Sequence, residues 1–292
     1  MNDKKVNISK NGESRPDIFD RLPETSIPWK RTREEGWDSL KENIEEKQGP
    51  GKVIYASFAF RMSAAAVILL LVASVTFMRL YTKTVSVPPG EHANLVLPGD
   101  SKVTLNAETI VKYKPLWWRF KRDISLEGEG YFEVSKGNKF RVISLNGITS
   151  VLGTTFNVYS RENEYEVSCY AGKVSVESAG TDGVVILNKK HKAWVNNEGE
   201  LVISIESADP ESQDWRNGYF RFTSVPVTRV FDEIARQFDV SIKGTSNLDL
   251  IYTGNFSKDQ PIEEVLNLVC KAFGINFVSE DRNIYRVIAD AN

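Results

Sequence analysis

The chain has 292 residues, of which 41% are hydrophobic and 26% charged, and 37 Lys and Arg against 39 Asp and Glu leave a formal net charge of −2. This ordinary globular composition excludes a collagen, a wholly disordered chain and a disulfide-rich miniprotein, and the near-zero charge argues against direct nucleic-acid binding through a basic surface. The two cysteines and two histidines, His92 and His191, are too few for a conventional metal site or triad, so we expect no metal, no cofactor and no catalytic residues.

The first 60 residues are rich in charge and contain one helical pattern. We expect disorder over residues 1–28, which lack a helical period. Thr32 and Glu35 have the spacing of a capping box, and Trp37, Leu40 and Ile44 follow on one helical face. The sequence therefore predicts an amphipathic helix at 33–47. Its apolar face is completed either by the groove of a partner or, if the helix is only a membrane-proximal spacer, by the bilayer surface.

Residues 62–78 form an uncharged apolar run between Arg61 and Arg79. At ~1.5 Å per residue the run gives about 26 Å of helix, slightly short of a bilayer core, and the flanking arginines can snorkel to extend it. We expect a single transmembrane helix at 61–81, with a buried core helix as the alternative. The nearby positive charges are more numerous before the helix (Lys41, Lys47, Lys52, Arg61) than after it (Arg79, Lys83), which predicts a cytoplasmic N-terminus.

Residues 84–207 read as a succession of short strands. Alternating apolar runs, such as 95–97 and 103–105, recur about every ten residues and are separated by Gly, Pro and Asn turns. Gly128, Gly153 and Gly172 end or interrupt strands, so we expect a positive φ at each. The pattern predicts an all-β domain, either a sandwich or solenoid-like.

Beyond Trp215 the apolar period changes to that of helices, in two segments offset by 35 residues. Pro226 and Pro261 precede the two helical patterns, and a short strand pattern follows each. The first apolar face consists of Val227, Val230, Phe231, Ile234, Ala235 and Phe238, and the second of Ile262, Val265, Leu266, Val269, Cys270 and Phe273. We expect a small α+β domain at 215–290 with duplicated βαβ-type units.

Five segments, read in order, form a recognisable pattern: LVLPGDSKVTLN at 95–106, LEGEGYFEV at 126–134, VLGTTFNV at 151–158, AGKVSV at 171–176 and WRNGYFRF at 215–222. Together they resemble the FecR family of membrane-bound anti-sigma factors, in the form common among Bacteroidetes. The resemblance covers about residues 84–288. It implies an all-β FecR domain followed by a module similar to the short secretin/TonB N-terminal domain. The family's usual Leu-Pro-Asp-Gly is replaced here by Leu-Pro-Gly-Asp at 97–100.

The resemblance implies a signalling relay across the bacterial inner membrane. The periplasmic signalling domain of an outer-membrane TonB-dependent transporter would contact the C-terminal domains, where exposed strand edges suit β-augmentation. The cytoplasmic segment, residues 1–60, would bind an extracytoplasmic-function sigma factor. Trp29, Trp37, Leu40 and Ile44 are the expected contact residues, because aromatic anchors dominate interface energetics.

Three further groups of side chains have both a functional and a structural interpretation. Glu127 and Glu129 resemble an acid/base pair, but we expect them to be surface or turn residues. The basic run at 189–192 is expected to be a solvated turn rather than an anion site. In the Trp-Trp-Arg sequence at 117–119 we expect one tryptophan to pack inward and the other to cap a loop, with a binding patch or membrane-facing wedge as the alternative.

Three classes of function stay open from the residues alone. They are an anti-sigma regulator, a membrane-anchored periplasmic binding or scaffold protein that does not need its N-terminal segment, and an envelope enzyme. The sparse histidines and missing metal-ligand spacing argue against the enzyme, and the capped helix ahead of the membrane segment favours the regulator. Cys169 and Cys270 are expected to be small buried apolar residues, with a disulfide between them as the alternative.

Overall fold

A computed structural model describes residues 31–47, 58–180, 183–196, 199–205 and 215–288. The predicted disorder at 1–28 and the candidate contact residue Trp29 lie outside these ranges. The chain forms two compact units, residues 1–66 and 67–292.

The N-terminal unit contains helix α1, Arg33–Lys47. Its first turn is closed by the capping box that the sequence predicts. The backbone N–H of Thr32 donates to Glu35 Oε2 at 2.8 Å, and the backbone N–H of Glu35 donates to Thr32 Oγ1 at 3.3 Å. These two bonds satisfy amides that have no partner within the helix, and thereby fix where α1 begins.

Helix α2, Phe58–Leu80, contains the apolar run. Its 23 residues correspond to about 34 Å at 1.5 Å per residue. Arg61 and Arg79 lie within the helix, so its uncharged stretch is still 62–78, and snorkelling of the two arginines extends it to the width of a bilayer core. Within it, Phe60–Leu80 has a mean hydropathy of 2.1 and none of this apolar window is buried. Among the described residues this is the one helix long and apolar enough to cross a membrane, and its lack of burial argues against the alternative of a core helix.

The part of the chain that follows α2 begins with a large, mostly β domain, as predicted. Its thirteen strands are β1 Lys83–Val87, β2 Ala93–Val96, β3 Lys102–Leu105, β4 Thr109–Tyr113, β5 Arg122–Glu133, β6 Phe140–Ile143, β7 Gly147–Val151, β8 Thr155–Arg161, β9 Glu164–Ala171, β10 Lys173–Ser178, β11 Val184–Asn188, β12 His191–Val195 and β13 Leu201–Ile205.

These strands form two sheets that share β5. Sheet A has the order β1-β4-β5-β6-β7-β10-β11, and sheet B has the order β2-β3-β5-β8-β9-β12-β13. Among the described strands of this β domain, only β5 and β6 pair in parallel. A single core of buried apolar side chains, including Leu105, Phe132 and Phe156, is shared by strands of both sheets. The topology is therefore a folded antiparallel sheet and not a solenoid of stacked parallel turns.

Strand β5 passes from one sheet to the other by a sharp bend at Gly128. A straight strand of 12 residues would be about 40 Å long, yet Arg122 at its start reaches the backbone oxygen of Ser135 just beyond its end, at 3.5 Å. Gly128 has a φ of +119°, and a Cβ there would lie 2.5 Å from Thr109 Oγ1 and 2.8 Å from Thr109 Cα. Only glycine satisfies both constraints.

Gly153 and Gly172, the other two glycines expected to have a positive φ, differ in conformation. Gly172 has the expected positive φ, +88°, at the turn between β9 and β10. The expectation of a positive φ at Gly153 is wrong. This position needs glycine for space, since a Cβ would lie 2.7 Å from the Lys136 side chain.

The C-terminal domain consists of two helices and five strands: β14 Tyr219–Pro226, α3 Val227–Phe238, β15 Ser241–Lys243, β16 Ile251–Ser257, α4 Ile262–Lys271, β17 Asn276–Asp281 and β18 Ile284–Ile288. The predicted apolar faces of both helices are turned inward, where they form a second core with Phe220, Tyr252 and Phe256. Strands β14 and β16 pair antiparallel, while β18 pairs in parallel with β15 and antiparallel with β17.

Pro226 and Pro261 have nearly the same conformation at the starts of α3 and α4, with φ values of −55° and −56°. The strand before α3 and the strand after it belong to different sheets, so this unit is not a parallel βαβ crossover. The same holds for the strands around α4. The internal duplication therefore stays a prediction from the sequence.

Candidate functional site

Helix α1 presents an apolar stripe to solvent. Trp37, Leu40 and Ile44 are 64%, 52% and 48% exposed, and their spacing places them on one face. A helix of this length is marginal in isolation, and the cap stabilises its first turn without covering the stripe. The structure therefore places the three described candidate residues together on an open surface that can pack into an apolar groove.

A second cluster lies where the C-terminal domain packs against the β domain, a contact that we call the seam. Asn106, which follows β3, donates from Nδ2 to Glu129 Oε2 at 2.8 Å. Gln237 on α3 donates from Nε2 to Asn106 Oδ1 at 2.7 Å and to Glu233 Oε1 at 2.8 Å. All four side chains are buried. The expectation that Glu129 is a surface residue is therefore wrong, whereas Glu127 is exposed.

The two seam carboxyl groups have opposite electrostatic environments. Burial, together with the charge of Glu233, raises the pKa of Glu129 above its ordinary value. Burial would also raise the pKa of Glu233, but the charges of Arg236 and Arg161 outweigh it and hold that pKa below its ordinary value. Since two buried carboxylates in one cluster repel, the pair takes up its first proton on Glu129 rather than on Glu233.

Arg229 of α3 connects the seam to sheet B. Its guanidinium lies 3.3 Å from Glu164 Oε2 and 3.4 Å from Glu166 Oε2, and its Cζ lies 4.3 Å from the centre of the Tyr159 ring. Lys192 Nζ lies 2.7 Å from Glu166 Oε1. Although burial would raise the pKa of Glu166, Lys192 and Arg229 lower it below its ordinary value. The ion pairs of Arg229 therefore hold α3 against β9, and its contact with the Tyr159 ring holds it against β8.

Aromatic contacts extend the seam towards the start of the C-terminal domain. The His92 and Trp215 rings meet edge to face with centroids 5.2 Å apart, and Arg216 Cζ lies 3.8 Å from the centre of the Tyr131 ring. Burial lowers the pKa of His92, whose Nε2 lies 3.1 Å from Gln237 Oε1. Separating the two domains would thus expose apolar rings as well as buried polar groups.

The seam could not be predicted from the sequence, because its polar residues follow ordinary patterns. Glu233 and Gln237 are one helical turn apart beside the apolar face of α3, a spacing typical of a solvated helix surface. Lys192 belongs to the basic run predicted to be a solvated turn. Lys189 and Lys190 are indeed exposed, but Lys192 is 15% exposed and ion-paired.

The tryptophan pair and the cysteines are placed as follows. Trp118 is buried in the β-domain core, as expected of one tryptophan of the pair, and Trp117 is half-buried. Cys169 and Cys270 are free, buried and packed in different cores, which excludes the disulfide alternative in this structure.

The three-stranded sheet of the C-terminal domain has an open edge. Within the described residues β17 pairs with β18 alone, and most of its side chains are exposed, Val278 by 43%. Unpaired backbone N–H and C=O groups on such an edge can accept a further strand.

One cleft opens on the seam and is lined by Glu129, Tyr159, Glu166, Arg229 and Glu233 among others. Its volume of about 130 Å³ is smaller than that of typical small-molecule sites, about 300–1,000 Å³. Within the described ranges, no three His, Cys, Asp or Glu side chains are grouped in a way that could hold a metal ion.

Comparisons with known proteins place the β domain and the C-terminal domain in one family. Residues 83–175 match the family model described as FecR protein, and residues 219–286 match the model described as FecR, C-terminal. Two crystal structures of a proposed anti-sigma factor from Parabacteroides distasonis superpose with TM-scores of 0.66 and 0.65 at 26% identity. Each alignment covers 72% of this chain and 100% of the other. No curated protein matches the chain.

Proposed function

The chain belongs to the FecR family, and we propose that it is an anti-sigma factor anchored in the bacterial inner membrane. Its N-terminal segment binds an extracytoplasmic-function sigma factor in the cytoplasm, and its two outer domains receive a signal in the periplasm. The likeness of the outer region to a proposed anti-sigma factor supports this role. The observation that carries the proposal is the capped helix α1, with its open apolar stripe, ahead of a helix long enough to span the membrane.

The stripe is large enough to anchor a protein partner. A buried tryptophan removes roughly 200 Å² from water, so the 64% exposure of Trp37 leaves about 130 Å² for a partner to cover. At about 25 cal/mol per Å² this area contributes about 3 kcal/mol, which is typical of an interface hot spot. Leu40 and Ile44 add apolar area on the same face.

The charge of α1 indicates what kind of partner groove can bind it. Helix α1 contains six acidic and three basic residues, a net charge of −3. A complementary groove therefore has an apolar floor and a basic rim, because opposite charges around an interface speed association and exclude wrong partners. We expect this surface on the sigma factor.

The signal input is proposed to be at the open edge of β17. The periplasmic signalling domain of a TonB-dependent transporter adds a strand to this edge, with main-chain hydrogen bonds giving affinity and exposed side chains such as Val278 giving specificity. The seam then couples the receptor-bound domain to the β domain, because α3 is held there by Arg229 and by the Asn106–Glu233–Gln237 cluster.

Sigma-factor binding is tested with the full chain in nanodiscs, titrated with purified sigma factors of the host. Trp37→Ala removes the largest apolar anchor and should weaken binding of the cognate sigma factor by at least about 30-fold. Glu42→Ala is the matched control, since Glu42 is exposed on the opposite face of α1. Equal affinity of Trp37→Ala and Glu42→Ala would refute the stripe as the contact. Failure of every sigma factor to bind the wild type would refute the role itself.

The receptor edge is tested separately with the transporter signalling domain as ligand. Val278→Lys places a charge on the β17 edge, a change that discourages strand addition, and should abolish binding. Ile205→Lys is the control, because Ile205 is 79% exposed on β13 of the β domain. Binding that survives Val278→Lys but not Ile205→Lys would place the receptor on the β domain.

A further inference from the structure

The connection between β4 and β5, residues 114–121, has an unusual composition. Its sequence KPLWWRFK contains three basic residues, no acidic residue and four large apolar side chains. We propose that this connection is a membrane-surface wedge, which inserts its apolar tip among anionic phospholipids and seats the β domain on the bilayer. The proposal is independent of sigma-factor and receptor binding.

The strand register places the connection beside the membrane helix. Helix α2 ends at Leu80, and β1 begins at Lys83 directly opposite Tyr113, the last residue of β4. Three residues of chain reach at most about 10 Å, so Lys83 cannot lie far from the end of α2. Neighbouring strands are about 4.8 Å apart. The connection that leaves Tyr113 is therefore held close to the bilayer in which α2 is embedded.

The tip is preorganised and exposed. Phe120 and Leu116 are 69% and 41% exposed, and the rings of Trp117 and Phe120 lie 4.6 Å apart. The backbone N–H of Phe120 donates to the oxygen of Trp117 at 3.0 Å. The buried Trp118 ring fixes the connection from below, edge to face with Tyr113 at 5.8 Å. An apolar tip held in this way does not have to be ordered before it inserts.

The charges favour a lipid surface over a protein groove. Lys114 and Arg119 flank the apolar tip and are exposed, while the acidic residue that follows, Asp123, is paired with Arg141 at 2.6 Å and Lys121 at 3.0 Å. Tryptophan is enriched at the membrane interface, and basic side chains around an apolar tip are attracted to anionic headgroups. The occupant that fits is thus a bilayer containing anionic phospholipid.

A second exposed apolar residue lies at the end of sheet A from which the wedge extends. Arg122 at the start of β5 is opposite Phe140, which is opposite Val151 at the end of β7. The residue after Val151 is Leu152, which is 65% exposed, about 10 Å from the wedge across two strands. Leu152 extends the apolar surface along the edge that the wedge begins.

The experiment uses the full chain in nanodiscs of equal parts phosphatidylcholine and phosphatidylglycerol, with acyl chains either plain or brominated. Brominated chains quench a tryptophan only on contact, so the emission lost in Trp117→Phe relative to wild type isolates Trp117 among the six tryptophans. We expect this emission to be quenched by brominated lipid. Trp194→Phe is the matched control, because Trp194 lies on β12 of sheet B and its removal should leave the quenched emission unchanged.

The lipid charge is tested in the same nanodiscs. Each basic residue near an anionic surface raises the equilibrium constant for membrane binding about fivefold. The double variant Lys114→Gln and Arg119→Gln should therefore lower the ratio of inserted to free wedge by about 25-fold. Quenching should fall to the level seen in pure phosphatidylcholine. If the Trp117 emission is the same in plain and brominated lipid, the wedge does not enter the bilayer and the proposal is wrong. If quenching is the same in the wild type and the double variant, and the same with and without phosphatidylglycerol, anionic lipid has no role in insertion.

Discussion

The bend of β5 at Gly128 makes a sharp prediction about stability. Replacing Gly128 by alanine forces a side chain into a backbone with a φ of +119° and places its Cβ 2.8 Å from Thr109 Cα, a backbone atom that cannot rotate away. The backbone strain costs about 1–3 kcal/mol and the overlap a further ~1–3 kcal/mol, so Gly128→Ala should lower the free energy of unfolding by about 2–6 kcal/mol.

The matched control is Gly99→Ala. Gly99 also has a positive φ, +80°, but a Cβ there has no atom within 4 Å, so its cost is the strain alone, about 1–3 kcal/mol. The assay is urea unfolding of the full chain in detergent micelles, followed by tryptophan fluorescence, with the midpoints compared at constant slope. Equal midpoints for the two variants would show that Thr109 does not restrict the bend. The reasoning about the sheet crossover would then be refuted.

Further predictions concern the buried ionisable groups. Because folding lowers the pKa of Glu166, the ionised side chain stabilises the folded state above its unfolded pKa of about 4.3, and this stabilisation is lost as the pH falls through the folded pKa. Glu166→Gln should therefore flatten the acid side of a plot of melting temperature against pH. The raised pKa of Glu129 has the opposite effect on stability, because the folded state is destabilised as the pH rises above the unfolded pKa of about 4.3 and the buried side chain ionises. Glu129→Gln should therefore flatten the fall in melting temperature above about pH 4.3. Unchanged slopes in either variant would contradict these assignments. Burial raises the pKa of the Cys169 and Cys270 thiols to about 11, so at about pH 8 iodoacetamide should label them only after unfolding, as mass spectrometry can show, and labelling of the folded chain would contradict their burial.

Local patterns in the sequence were sufficient for the elements whose cause is local. The capping box of α1 follows from Thr32 and Glu35 three residues apart, and the inward faces of α3 and α4 follow from apolar residues at helical spacing. Helix α2 begins at Phe58, three residues before the predicted start at 61, because the apolar residues ahead of Arg61 continue the helix.

Features that depend on distant parts of the chain could not be predicted. Glu129 lies on a strand whose alternation suggests exposure, yet it is buried in the seam, where Asn106 donates both to Glu129 and to Glu233 of α3, about 100 residues later. Likewise, a glycine in a strand pattern signals a bend or bulge, but nothing local in Gly128 shows that the strand changes sheets there. The proposed partner of the α1 stripe is a separate protein, so its identity cannot be predicted from this sequence.

The most direct test of the anti-sigma role is photo-crosslinking in the native host. A photoreactive phenylalanine analogue replaces Trp37 in the full chain, and a matched variant carries it at Glu42 on the opposite face of α1. We expect position 37 to crosslink to one extracytoplasmic-function sigma factor and position 42 not to do so. Crosslinks from position 37 to lipid alone, or equal crosslinking from both positions, would contradict the claim that the apolar stripe of α1 binds a sigma factor.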